Sequence, residues 1–263
     1  MHINLRKSLF ILPNLFTLSS IFCGFYAIVL CRNSPSEDDL YRASLLIIFA
    51  MFFDIIDGRV ARLTRTQSAF GIQIDSLADV VSFGVAPALL VYAWSLSALG
   101  KLGVFASFAY LACGAIRLAR FNVLATDTTG RPKKPSKYIL GLPIPGAAGI
   151  LVSLVAANHA VNGVLAAAHV PIMVVVFSLS FFMVSTIKFR SFKDMRLNWG
   201  TALLVLLAVG SGVLMAVKVH VTVALGWMLT SYVTIGLVES ILGLIRRLRR
   251  VPREEDEDSA KAG

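Results

Sequence analysis

Four carboxylates stand close together on segments that are otherwise apolar: Asp54 and Asp57, then Asp75 and Asp79. Acids are costly in hydrocarbon, so four of them in such segments mark a functional site. A spacing of three or four residues puts each pair on one face of a helix. Two helices joined by a short turn run antiparallel, and their acid pairs can converge on one point. Like charges that close repel strongly unless some are protonated or a cation lies between them. A ligand set made only of oxygen suits a hard divalent ion such as Mg2+ or Mn2+.

The residues around the acids suit a phosphate-bearing ligand. Gly58 and Ala61 follow the second acid at helical spacing. Small side chains there admit either a neighbouring helix or a flat ligand. Arg62 lies near the acidic face, where a guanidinium can reach a phosphate. Ser68 falls in the connecting turn, and its hydroxyl can donate to a phosphate oxygen or cap a helix. Gly71 lets the third helix begin close to the second.

The elements that must position these groups are membrane helices. The chain has 263 residues, 57% hydrophobic and only 15% charged, with a mean hydropathy of +0.76. Soluble domains carry about 25% charged residues. The fold class expected is therefore all-α, a polytopic integral membrane helix bundle. About 20 apolar residues cross a bilayer. Eight runs are long enough, roughly 9–31, 40–62, 72–97, 102–125, 141–162, 165–187, 198–218 and 220–245. Pro13 is expected at the first turn of the first helix, a position that tolerates its missing N–H. Residues 1–250 form one transmembrane domain, and the charged tail 251–263 is expected to be disordered.

The formal charge of +10 reads, in such a chain, as basic cytoplasmic loops against the lipid bilayer, with no nucleic acid as partner. Of 25 basic residues, 21 fall on one side of the eight-span topology. They are Arg6 and Lys7; Arg59, Arg62 and Arg65; the group from Arg117 to Lys137; the group from Lys188 to Arg196; and the group from Arg246 to Lys261. Only Arg32, Arg42, Lys101 and Lys218 fall on the other. Basic loops stay cytoplasmic, so both termini and the Asp54–Asp79 turn face the cytoplasm. The location expected is the cell's inner (cytoplasmic) membrane, multi-pass. Cys23, Cys31 and Cys113 have no disulfide or zinc spacing. Glu239 is the one intramembrane acid outside the cluster, and it reads as a hydrogen-bonded helix-interface residue.

The full pattern D-x-x-D-G-x-x-A-R-x8-G-x3-D-x3-D, from Asp54 to Asp79, resembles the signature of the CDP-alcohol phosphotransferases, membrane enzymes of phospholipid synthesis. The resemblance implies two divalent cations, Mg2+ or Mn2+, held by Asp54, Asp57 and Asp75. It implies Asp79 as the general base, also touching metal. Gly58, Ala61, Arg62, Ser68 and Gly71 would then lie along the CDP-lipid. The first span opens Pro13-Asn14-Leu15-Phe16-Thr17, which resembles the family's P-N-x-x-T and implies Asn14 and Thr17 beside the CDP moiety. A homodimer is implied as well.

Four further segments resemble the phosphatidylserine synthase branch of that family. They run from Asp75 to Pro87, Ile116 to Asn122, Gly141 to Ala148, and Met183 to Lys188 together with Ser191 to Lys193. The implied donor is CDP-diacylglycerol, the implied acceptor L-serine, and the products phosphatidylserine and CMP. Arg117 and Arg120, on one helix face, can hold the serine carboxylate, with Asn122 a third acceptor-binding candidate. Two alternatives stand beside this reading. A sister enzyme would use glycerol 3-phosphate or an inositol phosphate, drawing on Arg117, Arg120 and Lys137. A cation or proton transporter would need acids at mid-bilayer and a polar path to the far side, whereas these acids sit near one interface.

Overall fold

The computed structural model describes residues 5–64, 68–125, 138–160, 163–186 and 188–190. Among these, α1 spans Leu5–Leu30, α2 Glu37–Leu63, α3 Ala69–Asp79, α4 Ala86–Trp94, α5 Lys101–Ala125, α6 Ile144–Ala160 and α7 His169–Val184. The third apolar run is one helical rod in two parts: α3 and α4 are joined without a break by a π-helical turn over Val80–Val85. The described chain is helical except for a three-residue antiparallel ladder, β1 (Tyr138–Leu140) with β2 (Lys188–Arg190). It ties the segment before α6 to the segment after α7, a small departure from the all-α expectation.

Six of the eight expected runs coincide with described helices. The runs 198–218 and 220–245, Glu239, the arginines around 246–250 and the tail 251–263 lie outside the described residues. Pro13–Leu30, Phe70–Trp94 and Lys101–Leu124 are long and apolar enough to cross a membrane. α2 has 27 residues, about 40 Å of helix, but carries Asp54, Asp57, Arg59 and Arg62 in its last turns. α6 and α7 are apolar but short, at 17 and 16 residues. Pro13 departs from expectation, because α1 begins upstream at Leu5 and the proline sits inside the helix.

Local chemistry explains the start of α2. Ser36 caps it: the Ser36 hydroxyl accepts the Asp39 N–H at 3.1 Å, and the Asp39 carboxylate accepts the Ser36 N–H at 3.1 Å. Those Ser36 bonds hold the Asp39 carboxyl below its ordinary range. Glu37, Asp38 and Asp39 fill the first turn, where the helix dipole favours negative charge. The buried side chains of α2 are Leu40, Ala43, Ser44, Ile47, Ala50 and Asp57. They form one stripe at helical period, so the rule that buries Ile47 also carries the acids inward.

α1 lies along α2, α5 along α7, and α2 also against α6. Small buried residues at the contacts, such as Ala27, Ala43, Ala50 and Ala147, let these backbones approach closely. The outside is apolar. Phe22, Phe25, Phe49, Phe52, Phe105 and Phe108 are each more than half exposed. In water that surface would be a liability, and in a bilayer it is the surface lipid requires.

Candidate active site

The acid pairs meet. One carboxylate oxygen from each of Asp54, Asp57 and Asp75 lies within 4.8 Å of the others. The fourth acid joins through Asp54, whose carboxyl is in hydrogen-bonding reach of Asp79. Asp57 is the deepest of the set at 4% exposed.

α1 supplies the partner that fixes Asp57. The Thr17 hydroxyl donates to Asp57 Oδ2 at 2.7 Å, and both residues are buried. α5 supplies a guanidinium. Arg117 is 6% exposed and close enough to Asp79 for their charges to interact. Asp79 Oδ1 and Arg117 Nε are both buried without a hydrogen-bond partner among the described residues. Trp94 Nε1 and Ser107 Oγ, away from the acids, are the other buried side-chain atoms so placed among the described residues.

A sequence model of the CDP-alcohol phosphatidyltransferase family matches residues 10–246. The chain belongs to that family. It is a transferase, in a family of phospholipid-synthesising membrane enzymes. A Helicobacter pylori protein named CDP-diacylglycerol–serine O-phosphatidyltransferase is 39% identical over 199 residues, 76% of this chain and 80% of its own. A Bacillus subtilis protein of the same name is 34% identical over 184 residues, 69% of this chain and 91% of its own. One from Saccharomyces cerevisiae is 36% identical over 161 residues, 58% of this chain and 56% of its own.

The other expected site residues fall into two groups in this phosphatidyltransferase. Among the described residues, a Cβ on Gly58 would meet only the Arg62 guanidinium, at 3.9 Å. No other helix among them packs on Gly58. Arg62 is exposed, Ala61 half-buried, and Asn14 half-buried near the start of the described side chains of α1. Ser68 caps α3, its hydroxyl accepting the Gly71 N–H at 2.9 Å. Among the described residues, a Cβ on Gly71 would meet that hydroxyl at 3.2 Å and no other neighbour. Gly71 thus leaves room for the capping hydroxyl.

Arg120 has a different task from the one its spacing suggested. Its guanidinium donates to three carbonyls at the end of α7: Val184 at 2.6 Å, Ser185 at 3.1 Å and Met183 at 3.3 Å. Those carbonyls are the orphans every helix leaves at its C-terminus, and a cation there is favoured by the dipole. Gly141, at φ +74°, presses against the same group: a Cβ would come within 3.0 Å of Arg120 Nη2. Arg117 lies within charge reach of Asp79, while the Arg120 guanidinium is held by α7. Asn122 donates to the Ser76 hydroxyl at 2.9 Å, bridging α5 to the turn of helix beside Asp75. Lys137 lies outside the described residues.

Three contributors were not foreseen: Ser20, Ser82 and Tyr110. Ser82 donates to the Ser20 carbonyl at 2.9 Å, and Tyr110 donates to the Phe83 carbonyl at 3.0 Å. A signal was present, since Ser20 follows Thr17 by three residues and Tyr110 precedes Arg117 by seven. Each pair shares a helix face.

Proposed function

We propose that this enzyme transfers the phosphatidyl group of CDP-diacylglycerol to the hydroxyl of L-serine, giving phosphatidylserine and CMP. The observation that carries the reading is the meeting of Asp54, Asp57 and Asp75, from two helices, within 4.8 Å. The names of the relatives supply the donor and acceptor.

The donor set fits a hard divalent cation: oxygen only, multiply anionic, and bordered by the unpaired Asp79 Oδ1. Asp54, Asp57 and Asp75 would hold Mg2+ or Mn2+, two ions by the family resemblance, with Asp79 at the edge of the set. Bound there, the cations supply neutralisation of the donor diphosphate and of the charge growing on the leaving CMP. Asn14, Gly58, Ala61 and Arg62 would mark the donor's course, with the space beside Gly58 taking its flat portion, while Thr17 holds Asp57 and Ser68 and Gly71 cap α3 at its border.

The chemistry is a displacement at phosphorus. The serine hydroxyl oxygen forms a bond to the phosphorus that bears diacylglycerol. The bond from that phosphorus to the oxygen of CMP breaks, and CMP leaves with the electron pair. The hydroxyl proton passes to the Asp79 carboxylate, which needs only hydrogen-bond reach to accept it. Arg117, buried beside Asp79, faces the acceptor carboxylate as a planar fork of donors. Asn122 steadies α5 at Ser76. Serine and the metal ions are water-soluble, and the reading places the acids at the cytoplasmic interface of an eight-span, multi-pass protein of the inner membrane. Homodimerisation belongs to the same reading.

The test is acceptor-dependent CMP release by purified protein with CDP-diacylglycerol and Mn2+ or Mg2+. Serine should drive release, and chelation should abolish it. Release with glycerol 3-phosphate or an inositol phosphate but none with serine would sink serine as the acceptor. Arg120, one of the cations such acceptors would draw on, is already engaged by α7.

A further inference from the structure

The segment that resembles the serine branch in sequence, Asp75 to Pro87, contains the stretch that leaves α-helical geometry. Val80–Val85 is π-helical, and the Ala86 N–H reaches back five residues to the Val81 carbonyl. Pro87 supplies part of the cause. In an α-helix its N–H would serve the carbonyl four residues back, that of Phe83, and proline has no N–H to give. Tyr110, fully buried on α5, donates its hydroxyl to that Phe83 carbonyl at 3.0 Å.

α1 grips the same turn as well. Ser82 donates to the Ser20 carbonyl at 2.9 Å, and the two hydroxyls lie 3.3 Å apart. Gly24, one turn further along α1, is pressed on the turn so closely that a Cβ would lie 2.8 Å from Ser82 Cα. Both gripping helices also reach the acids. The face of α1 that holds Ser82 holds Asp57 through Thr17. The face of α5 that holds Phe83 carries Arg117 toward Asp79. Asn122 ties α5 to Ser76 on the other side of Asp79.

We propose that the π-turn, held by Ser20–Ser82 and by Tyr110, is a positioning device that sets Asp79 against Arg117 and so governs transfer to the acceptor rather than binding of the donor. A π-turn adds one residue to a helical turn, which rotates the two flanking helical segments relative to each other. Clamped by α1 and α5, it fixes the rotation of the helix end that bears Asp79. Tyr110 and Ser82 touch neither substrate nor metal in this reading and act through Asp79. The inference rests on Asp79 being the base in acceptor transfer.

The experiment uses full-length protein in detergent with CDP-diacylglycerol and saturating Mn2+, for wild type, Tyr110→Phe and Ser82→Ala. Three quantities are read: serine-dependent phosphatidylserine formation, serine-independent hydrolysis of CDP-diacylglycerol to phosphatidic acid and CMP, and thermal stability. Small misplacements of a reacting group cost on the order of 10- to 100-fold in rate. Each variant should lose about that factor in kcat for serine transfer, with KM for CDP-diacylglycerol unchanged. The ratio of hydrolysis to transfer should rise, because water needs no placement against Arg117. Equal losses in both reactions, or losses that follow only the folded fraction, would reduce these residues to structural support and overturn the proposal. Wild-type kcat in both variants would overturn it as well. Absence of serine transfer in the wild type would instead refute the reading of the acceptor on which the inference stands.

Discussion

Thr17→Val is the sharpest perturbation of the metal site that leaves every carboxylate in place. Valine keeps the β-branched shape of threonine, so the contact of α1 with α2 is retained, and only the hydroxyl is lost. That hydroxyl donates to Asp57 Oδ2 at 2.7 Å, and both residues are 4% exposed, so water cannot replace it. A hydrogen bond to a charged group contributes about 1.5–3 kcal/mol. If the bond serves to hold Asp57 in the geometry that binds metal, that free energy appears as about a ten- to hundred-fold weaker metal affinity, the range found when partners behind metal ligands are removed. The assay is a Mn2+ or Mg2+ titration of CMP release. Half-saturation should rise by that factor, kcat should recover at high metal, and KM for CDP-diacylglycerol measured at saturating metal should be unchanged. Unaltered half-saturation with a raised CDP-diacylglycerol KM would refute the reasoning and put the Thr17 hydroxyl on the nucleotide, the role the family resemblance implies.

Asp79→Asn should nearly abolish turnover while CDP-diacylglycerol and metal still bind, which equilibrium binding of a labelled donor would measure; retained turnover would remove Asp79 as base. The two arginines should separate. Arg117→Lys keeps the charge but loses the fork, and should raise serine KM about tenfold, a loss of about 1.4 kcal/mol. Arg120→Ala should instead cost about 2–3 kcal/mol of stability by stranding the α7 carbonyls, read as a lower midpoint of thermal unfolding with serine KM held. Ser68→Ala should cost about 1 kcal/mol through loss of the α3 cap; a larger effect on CDP-diacylglycerol KM than on stability would return Ser68 to phosphate binding.

Much of the site was legible along the chain, because the signals were local. Helical period alone puts Asp54 with Asp57 and Asp75 with Asp79. The same period places Asp57 on the stripe of Leu40, Ala43, Ile47 and Ala50 that turns inward. Six of the apolar runs coincide with helices that the structure describes, the third of them with α3 and α4 together. The misreadings came where local spacing had to stand in for a partner distant in the chain. Arg117 and Arg120 share a face by count, yet α7 ends beside one and Asp79 beside the other. Pro13 read as a helix start, but the apolar run upstream continued the helix through it.

Sequence by itself determined the chemistry available: four acids in apolar helices, flanked by small residues and an arginine, in a chain built for a bilayer. Residue type and spacing suffice for that, because desolvation cost and helical period are properties of short segments. Only the tertiary structure decided which polar groups pair. That Thr17 holds Asp57 across 40 residues of chain, that Arg120 belongs to α7, and that a π-turn after Asp79 is clamped between α1 and α5 all depend on how the helices stack. Hydrogen bonds select their partners by distance and direction in space, and no count along the chain specifies either.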